Sequence, residues 1–103
     1  MIFIYVTAPS ETEGNKIAEA VVADRLAACA NIIPGMTSVY HWEGKIEKSR
    51  EVMVIFKTRA SLFQAVETRV RELHSYDTPC IAALPLTEVS AEFRQWVFAE
   101  TKP

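Results

Sequence analysis

The chain has 103 residues, of which 50% are hydrophobic and 23% are charged. This length and composition describe one compact domain, residues 1–103, and exclude multi-domain enzymes as well as disordered or low-complexity proteins. Lys and Arg residues number 11 against 13 Asp and Glu residues, so a net charge of −2 argues against a nucleic-acid partner.

Neither the amino terminus nor the cysteine content points to secretion. Residues 1–6 are apolar, but they lack the basic start of a signal peptide and the length of a membrane span. The two cysteines, Cys29 and Cys80, form no C-x-x-C pair and are too few for a secreted disulfide framework. We therefore expect free thiols, a cytoplasmic location and no membrane partner.

The first part of the chain predicts a strand followed by a helix. Residues 2–6 form a continuous β-prone run, typical of a strand that is central in its sheet. Ser10 and Glu13 have capping-box spacing, in which a hydroxyl accepts from an unpaired amide of the first turn and a carboxylate reaches back. Apolar residues at three- and four-residue steps continue this helix to about residue 28, with Cys29 at its end.

A long hairpin is predicted next. Residues 30–43 are strand-like and are interrupted by Pro34-Gly35, a pair suited to a bulge. Glu43-Gly44-Lys45 is a hairpin-turn signal, and the chain returns as a third strand over residues 46–58. The centre of that strand, residues 52–56, is again continuously apolar, which indicates a second central strand.

The remainder predicts a helix, an edge strand and a final helix. Ser61, with Gln64 three residues later, opens a helix that ends near residues 74–75. Residues 80–86 form the last strand, and Pro85 places it at the sheet edge because proline cannot donate to a strand ladder. A C-terminal helix follows, with Thr87 as a candidate cap. Its apolar face comprises Val89, Phe93, Trp96 and Val97.

This order of elements predicts an α+β fold of the ferredoxin-like type, βαββαβ plus a C-terminal helix, with the antiparallel strand order 4-1-3-2. The second and third strands are about twice as long as the first, so their hairpin must extend beyond the sheet. The extension carries Val39, Tyr40, Trp42 and Ile46, and nothing in the chain is left over to cover them. An exposed apolar ribbon is an aggregation hazard, so we expect another subunit to bury it.

A set of short segments along the chain stands in a recognisable order. They are Leu26-Ala-Ala-Cys29, Asn31-Ile-Ile-Pro-Gly35, Ser38-Val-Tyr-His-Trp-Glu-Gly-Lys-Ile-Glu47, Lys57-Thr58, His74-Ser-Tyr-Asp-Thr-Pro79 and Ala83-Leu-Pro85. Together they resemble the CutA family of divalent-cation tolerance proteins over nearly the whole chain. The resemblance implies a homotrimer related in architecture to PII signalling proteins, with long hairpins that pair between subunits, and binding of copper or another divalent cation.

The resemblance also implies where a metal would bind. The family's proposed ligands, a cysteine late in the first strand and two histidines at the end of the second helix, fall here on Val6, Leu73 and His74. Only His74 carries over, and Asp77 and Cys80 close to it add a carboxylate and a thiolate that suit copper or zinc. The alternative is structural, with His74 ending the helix, Asp77 shaping a turn and Cys80 packed in the strand.

Further residues are candidates for the interface between subunits and its cleft. Tyr40 and Trp42 share one face of the second strand, where aromatic side chains are expected to anchor the contact. His41 and Glu43 lie on the opposite face. They either contact a metal ion or are exposed to solvent. Cys29 is either a ligand or nucleophile or, in the alternative interpretation, a small buried apolar side chain. The residues predicted at the interface or cleft are Cys29, Tyr40, Trp42, Lys57 and Tyr76.

No enzyme signature is present in the sequence, which contains no P-loop, G-x-S-x-G or HExxH motif. We therefore expect a non-enzymatic, trimeric divalent-cation tolerance protein that binds Cu²⁺ or another divalent cation in or near an intersubunit cleft. The alternative is a PII-like signalling or scaffold trimer. In that case the cleft binds a small metabolite or a partner protein, and metal binding is incidental.

Overall fold

Strands and helices follow each other in the predicted order. The computed structural model describes all 103 residues. Its elements are β1 (Ile2–Ala8), α1 (Glu11–Ala23), β2 (Cys29–Trp42), β3 (Lys45–Thr58), α2 (Phe63–Leu73), β4 (Ile81–Pro85) and α3 (Ala91–Glu100). The strands form one antiparallel sheet in the order β2-β3-β1-β4, which is the predicted order read from the other edge. The ferredoxin-like prediction is confirmed.

One face of the sheet packs against α1 and α2 and forms the core. Every second residue of β1 is buried on this face, because successive side chains of a strand point to opposite sides. Val52, Val54 and Phe56 continue the face in β3 and are at most 5% exposed. Gly14 lets α1 approach the sheet closely, since a Cβ atom there would lie 2.9 Å from Cγ2 of Val52.

The helix α1 is shorter than predicted. It ends at Ala23 rather than near residue 28, because Arg25 adopts a φ of 59°, a left-handed conformation that ends the helix. Residues 26–28 stay buried in a connecting segment, so Cys29 begins β2 instead of ending a helix. At the start of α1, Ser10 accepts from the Glu13 amide as predicted, but the Glu13 carboxylate binds elsewhere.

The β2-β3 hairpin extends beyond the sheet, as predicted. β1 pairs only with residues 52–58 of β3, so the distal half of the hairpin has no further strand beside it. Glu43 and Gly44 close the hairpin with φ values of 49° and 77°, the positive values that a tight type I′ turn requires. Near this turn Trp42 is 62% exposed and Ile46 is 69% exposed.

A bulge changes which side of the hairpin each residue faces. Between Ile33 and Met36 the pairing shifts register, leaving one extra residue in β2, at the predicted Pro34-Gly35 position. Because side chains alternate along a strand, the extra residue places Tyr40 and Trp42 on the sheet face opposite α1 and α2.

Two of the predicted helix caps are wrong. Ser61 lies in a short 3-10 turn, Ala60–Leu62, that precedes α2, and its side chain does not cap the helix. α3 begins after Ser90 rather than after Thr87, and Val97 is the buried residue of its predicted apolar face. No helix of the chain combines the length and hydropathy that a membrane crossing needs.

β4 is an edge strand, as Pro85 predicts, and it is one residue shorter at each end than expected. Cys80 therefore lies just before the strand and is exposed, which corrects the expectation that it packs within it. The second face of the sheet is not covered by a full layer of helices. On this face Leu84 of β4 is 50% exposed. We call this second face the open face.

Candidate functional site

A cavity of about 630 Å³ lies on the open face, between the distal hairpin and the loop that precedes β4. The hairpin side of the cavity carries Glu51 and two aromatic residues, and the loop side carries a third aromatic residue with a carboxylate and a thiol. The structure thus brings together these predicted residues: Tyr40, Trp42, Tyr76, Asp77 and Cys80.

One hydrogen bond joins the two sides of the cavity. The Tyr76 hydroxyl donates to Oε2 of Glu51 at 2.9 Å. Burial of the phenol, together with this bond and the charge of Glu51, raises the pKa of Tyr76 to about 12. Loss of the phenol proton would place a second negative charge beside the carboxylate, so this wall of the cavity favours positive charge.

The Cys80 thiol lies in the same electrostatic environment. Its pKa is raised, first by burial of the sulfur and then by the charge of Glu51. Since the thiolate is the form that binds metals, an ion at this position would have to displace the thiol proton.

His74 lies beneath the cavity rather than in its wall. Its side chain is 0% exposed and caps the end of α2. Nε2 donates to the carbonyl oxygen of Thr7 at 2.7 Å, and Nδ1 accepts from the backbone N–H of Tyr76 at 3.1 Å. Because a carbonyl only accepts and an amide N–H only donates, Nε2 acts here as a donor and Nδ1 as an acceptor, and Nδ1 also lies 3.4 Å from Oε2 of Glu13. Both ring nitrogens are therefore occupied.

A second contact holds the same loop against α1. Oε2 of Glu13 accepts from the backbone N–H of Ser75 at 3.1 Å and from its hydroxyl at 3.0 Å. The carboxylate thus binds a residue far along the chain instead of completing the capping box at Ser10. Together with His74, this contact positions the start of the loop that carries Tyr76 and Asp77.

The predicted metal ligands do not form a centre within one chain. No group of three or more His, Cys, Asp or Glu side chains lies close enough to hold an ion. Within one chain His74 makes the contacts of its structural interpretation, and its role as a metal ligand stays a prediction. Val6 offers only an apolar side chain at the matching family position and is fully buried. Asp77 and Cys80 remain as donors on the cavity wall.

Cys29 and Lys57 lie away from the cavity in this chain. They pair opposite each other near the other end of the sheet. Nζ of Lys57 lies 5.8 Å from the ring centroid of Phe3 and 5.9 Å from that of Phe93, so it contacts aromatic faces rather than an acid. Burial raises the pKa of the Cys29 thiol, and the Lys57 charge opposes that shift. Both cysteines are free.

The sequence did not predict the roles of two acidic residues, Glu51 in the wall of the cavity and Glu13 beneath its loop. Glu51 precedes the apolar run of β3, and its place in the cavity follows from the strand register around the bulge. Ser10 and Glu13 were predicted to form a capping box. Only the backbone N–H of Glu13 takes part in it, by donating to the Ser10 hydroxyl. An acidic residue directly before a predicted buried strand is the sequence feature that could have identified Glu51 as a candidate site residue.

Comparison with known proteins gives consistent matches. Residues 2–100 match the family model described as CutA1 divalent ion tolerance protein. The chain is 43% identical over 101 residues to Protein CutA, chloroplastic, of Arabidopsis thaliana, covering 98% of this chain and 56% of that protein. It is 46% identical over 95 residues to the divalent-cation tolerance protein CutA of Archaeoglobus fulgidus, covering 92% of each.

Solved structures match equally well. The divalent cation tolerance protein (Cut A1) of Thermus thermophilus superposes with a TM-score of 0.95 at 40% identity, over 99% of this chain and 100% of that one. The chain spans just over half the length of the chloroplastic relatives from Arabidopsis thaliana and Oryza sativa, 56% and 57%, and all of the Thermus structure.

Proposed function

Because the chain belongs to the CutA1 family of divalent ion tolerance proteins, we propose that it acts as a homotrimer that binds copper or another divalent cation in a cleft between subunits. The observation that carries this proposal is the cavity that combines the carboxylates of Glu51 and Asp77 with the Cys80 thiol and no basic side chain. Carboxylate suits hard cations, and thiolate suits copper and zinc. The proposed role is non-enzymatic and cytoplasmic.

The proposed trimer is supported by apolar surface that one chain leaves uncovered. On the open face Ile33 is 41% exposed and Leu84 is 50% exposed, and on the distal hairpin Val39 is 60% exposed. Large apolar side chains left exposed on both faces of one chain are natural contact points for a second and a third copy of the chain. The distal half of β3 also has a free edge that can pair with another strand.

A site shared between subunits would explain why one chain has too few metal donors. Asp77 and Cys80 lie beside the hairpin residues that we expect at the interface, so a neighbouring subunit could add the ligands that are missing. His74 supports such a site indirectly, because its two hydrogen bonds fix the start of the loop that carries Asp77.

Titration of the purified, reduced protein with Cu²⁺ and with Zn²⁺ by calorimetry tests metal binding. We expect one saturable class of sites that weakens in Asp77→Asn and Cys80→Ser and is unchanged in Cys29→Ser, the matched thiol control. Absence of saturable binding, or equal binding by all these variants, would remove the metal assignment.

Light scattering tests the trimer separately. We expect three times the chain mass of 11.6 kDa, and a lower mass for Trp42→Glu, because a charge buried in an interface lacks a partner. A parent mass near 11.6 kDa, or twice that value, would contradict the proposed assembly.

A second candidate function is a PII-like sensor or scaffold, and the size of the cavity favours it. A volume of about 630 Å³ falls within the range of about 300–1,000 Å³ typical of small-molecule sites and far exceeds the space that a single ion occupies. In this case the cleft binds a small ligand, and metal binding is incidental. A ligand that raises the melting temperature in the absence of metal would distinguish the two candidates.

A further inference from the structure

The charge of the cavity selects among possible ligands. Glu51 and Asp77 line it, and no Lys, Arg or His does. On the distal hairpin, Glu47 pairs with Tyr40 on the same face, and Lys45 pairs with Trp42 at the tip, outside the set of lining residues. A positive ligand is therefore favoured, whereas an anionic one such as a nucleotide would face two carboxylates without a counter-charge.

The aromatic walls of the cavity further restrict the chemical class of ligand that it can bind. Tyr40, Trp42 and Tyr76 line it, so in the proposed trimer three aromatic rings border the cleft that a ligand would enter. The face of an aromatic ring attracts a cation through its quadrupole, and aromatic walls combined with carboxylates are the usual recognition site for alkylated ammonium groups.

We propose that this cavity binds a small organic cation of the alkylammonium class, held by Glu51 and Asp77 and by the rings of Tyr40, Trp42 and Tyr76. The inference rests on the second candidate function and specifies its ligand. An organic cation fills a volume of about 630 Å³ better than a bare ion does, and its binding needs no group of three metal donors, which the chain lacks.

The site is partly organised before any ligand binds. Oε2 of Glu51 is fixed by the Tyr76 hydroxyl at 2.9 Å, and the Tyr76 backbone is fixed by His74. The carboxylate and one ring therefore keep their places without ligand, which lowers the ordering entropy that binding would cost.

Tryptophan fluorescence of Trp96→Phe provides a direct test, because Trp42 is then the only tryptophan left of the two in the chain. The probe is tetramethylammonium chloride, compared with sodium chloride at equal ionic strength. We expect a saturable change in Trp42 emission with tetramethylammonium alone. In the same background, Glu51→Gln should weaken binding about tenfold, and Glu19→Gln, an equal charge change on the exposed side of α1, should leave it unchanged.

Light scattering is the control that checks whether each variant keeps the mass of the parent protein. If Glu51→Gln dissociates the protein, Asp77→Asn replaces it, because the Asp77 side chain makes no hydrogen bond in the chain and its loss should weaken binding alone.

The outcomes separate the proposals. No saturable response to tetramethylammonium overturns the inference. Saturable binding of adenosine triphosphate in its place also overturns the inference but leaves the sensor function standing. Saturable binding of Cu²⁺ alone overturns both the inference and the sensor function and supports the metal site.

Discussion

His74 bonds to Thr7 across 67 positions of the sequence, with Nε2 donating to the Thr7 carbonyl oxygen at 2.7 Å. Pairing between β1 and β4 ends at Val6 and Ile81, so the Thr7 carbonyl is the next acceptor along β1. The imidazole thus continues the hydrogen bonding of the sheet where β4 stops, and its other nitrogen accepts from the loop that lines the cavity.

Replacing His74 should therefore destabilise the chain rather than merely remove a ligand. His74→Phe keeps a flat ring but leaves the Thr7 carbonyl and the Tyr76 amide without this partner, at a cost of about 1–3 kcal/mol in the free energy of unfolding. His41→Phe, at an exposed position of β2, should change it by less than about 0.5 kcal/mol. Urea unfolding at one fixed chain concentration measures both, and equal effects would refute the positioning role.

Tyr76 should titrate at unusually high pH. Its pKa is raised to about 12 in the folded protein, above the ordinary value of 10.0, so folding favours the protonated phenol. The resulting stabilisation is complete below pH 10 and is lost as the pH rises towards 12. Ultraviolet difference titration against Tyr76→Phe should isolate this step. In Glu51→Gln the step should move towards lower pH, and an unmoved step would rule out Glu51 as a cause.

The thiol of Cys80 should react slowly for an exposed cysteine. Burial of the sulfur and the Glu51 charge raise its pKa, which lowers the thiolate fraction at neutral pH. In a Cys29→Ser background, Glu51→Gln should speed alkylation by iodoacetamide, by up to about tenfold for each pKa unit regained. The Cys80→Ser protein, which reports Cys29 alone, is the control. An unchanged rate for Cys80 would contradict the role of Glu51.

Gly14→Ala should destabilise the chain although alanine favours helix. The helical preference is worth about 1 kcal/mol, whereas the new Cβ would lie 2.9 Å from Cγ2 of Val52, and such overpacking costs about 1–3 kcal/mol. Val52→Ala removes that atom, so the two substitutions together should cost less than the sum of their separate effects. Strict additivity in thermal or urea unfolding would show that the contact is not the cause.

The fold could be predicted because local patterns and sheet position agree. The continuous apolar runs of β1 and β3 correctly indicated the two central strands, Pro85 the edge strand, and Glu43-Gly44 the turn. The end of α1 was predicted too late because residues 26–28 are buried without being helical. Apolar spacing reports burial, and it cannot distinguish a last helical turn from a buried connection.

The site was less predictable because it depends on contacts between distant segments. The resemblance to one family is confirmed by the match of residues 2–100, yet the ligand role that it implies for His74 says nothing of the bonds that His74 makes to Thr7 and Tyr76. The place of Glu51 depends on the register shift at the bulge. A proline and a glycine predict a bulge there, but they do not predict how many residues it inserts.

The length of the hairpin also bears on how the protein reaches its final state. Residues of β2 and β3 are close in sequence, so this hairpin closes a short loop and can form within about 1–10 μs, before the distant pairing of β1 with β3. Each newly folded chain then carries a free strand edge beside exposed Trp42 and Ile46, which another chain would cover in the proposed trimer. For the proposed trimer, refolding would be a competition between ordered association and aggregation, and both depend on the chain concentration.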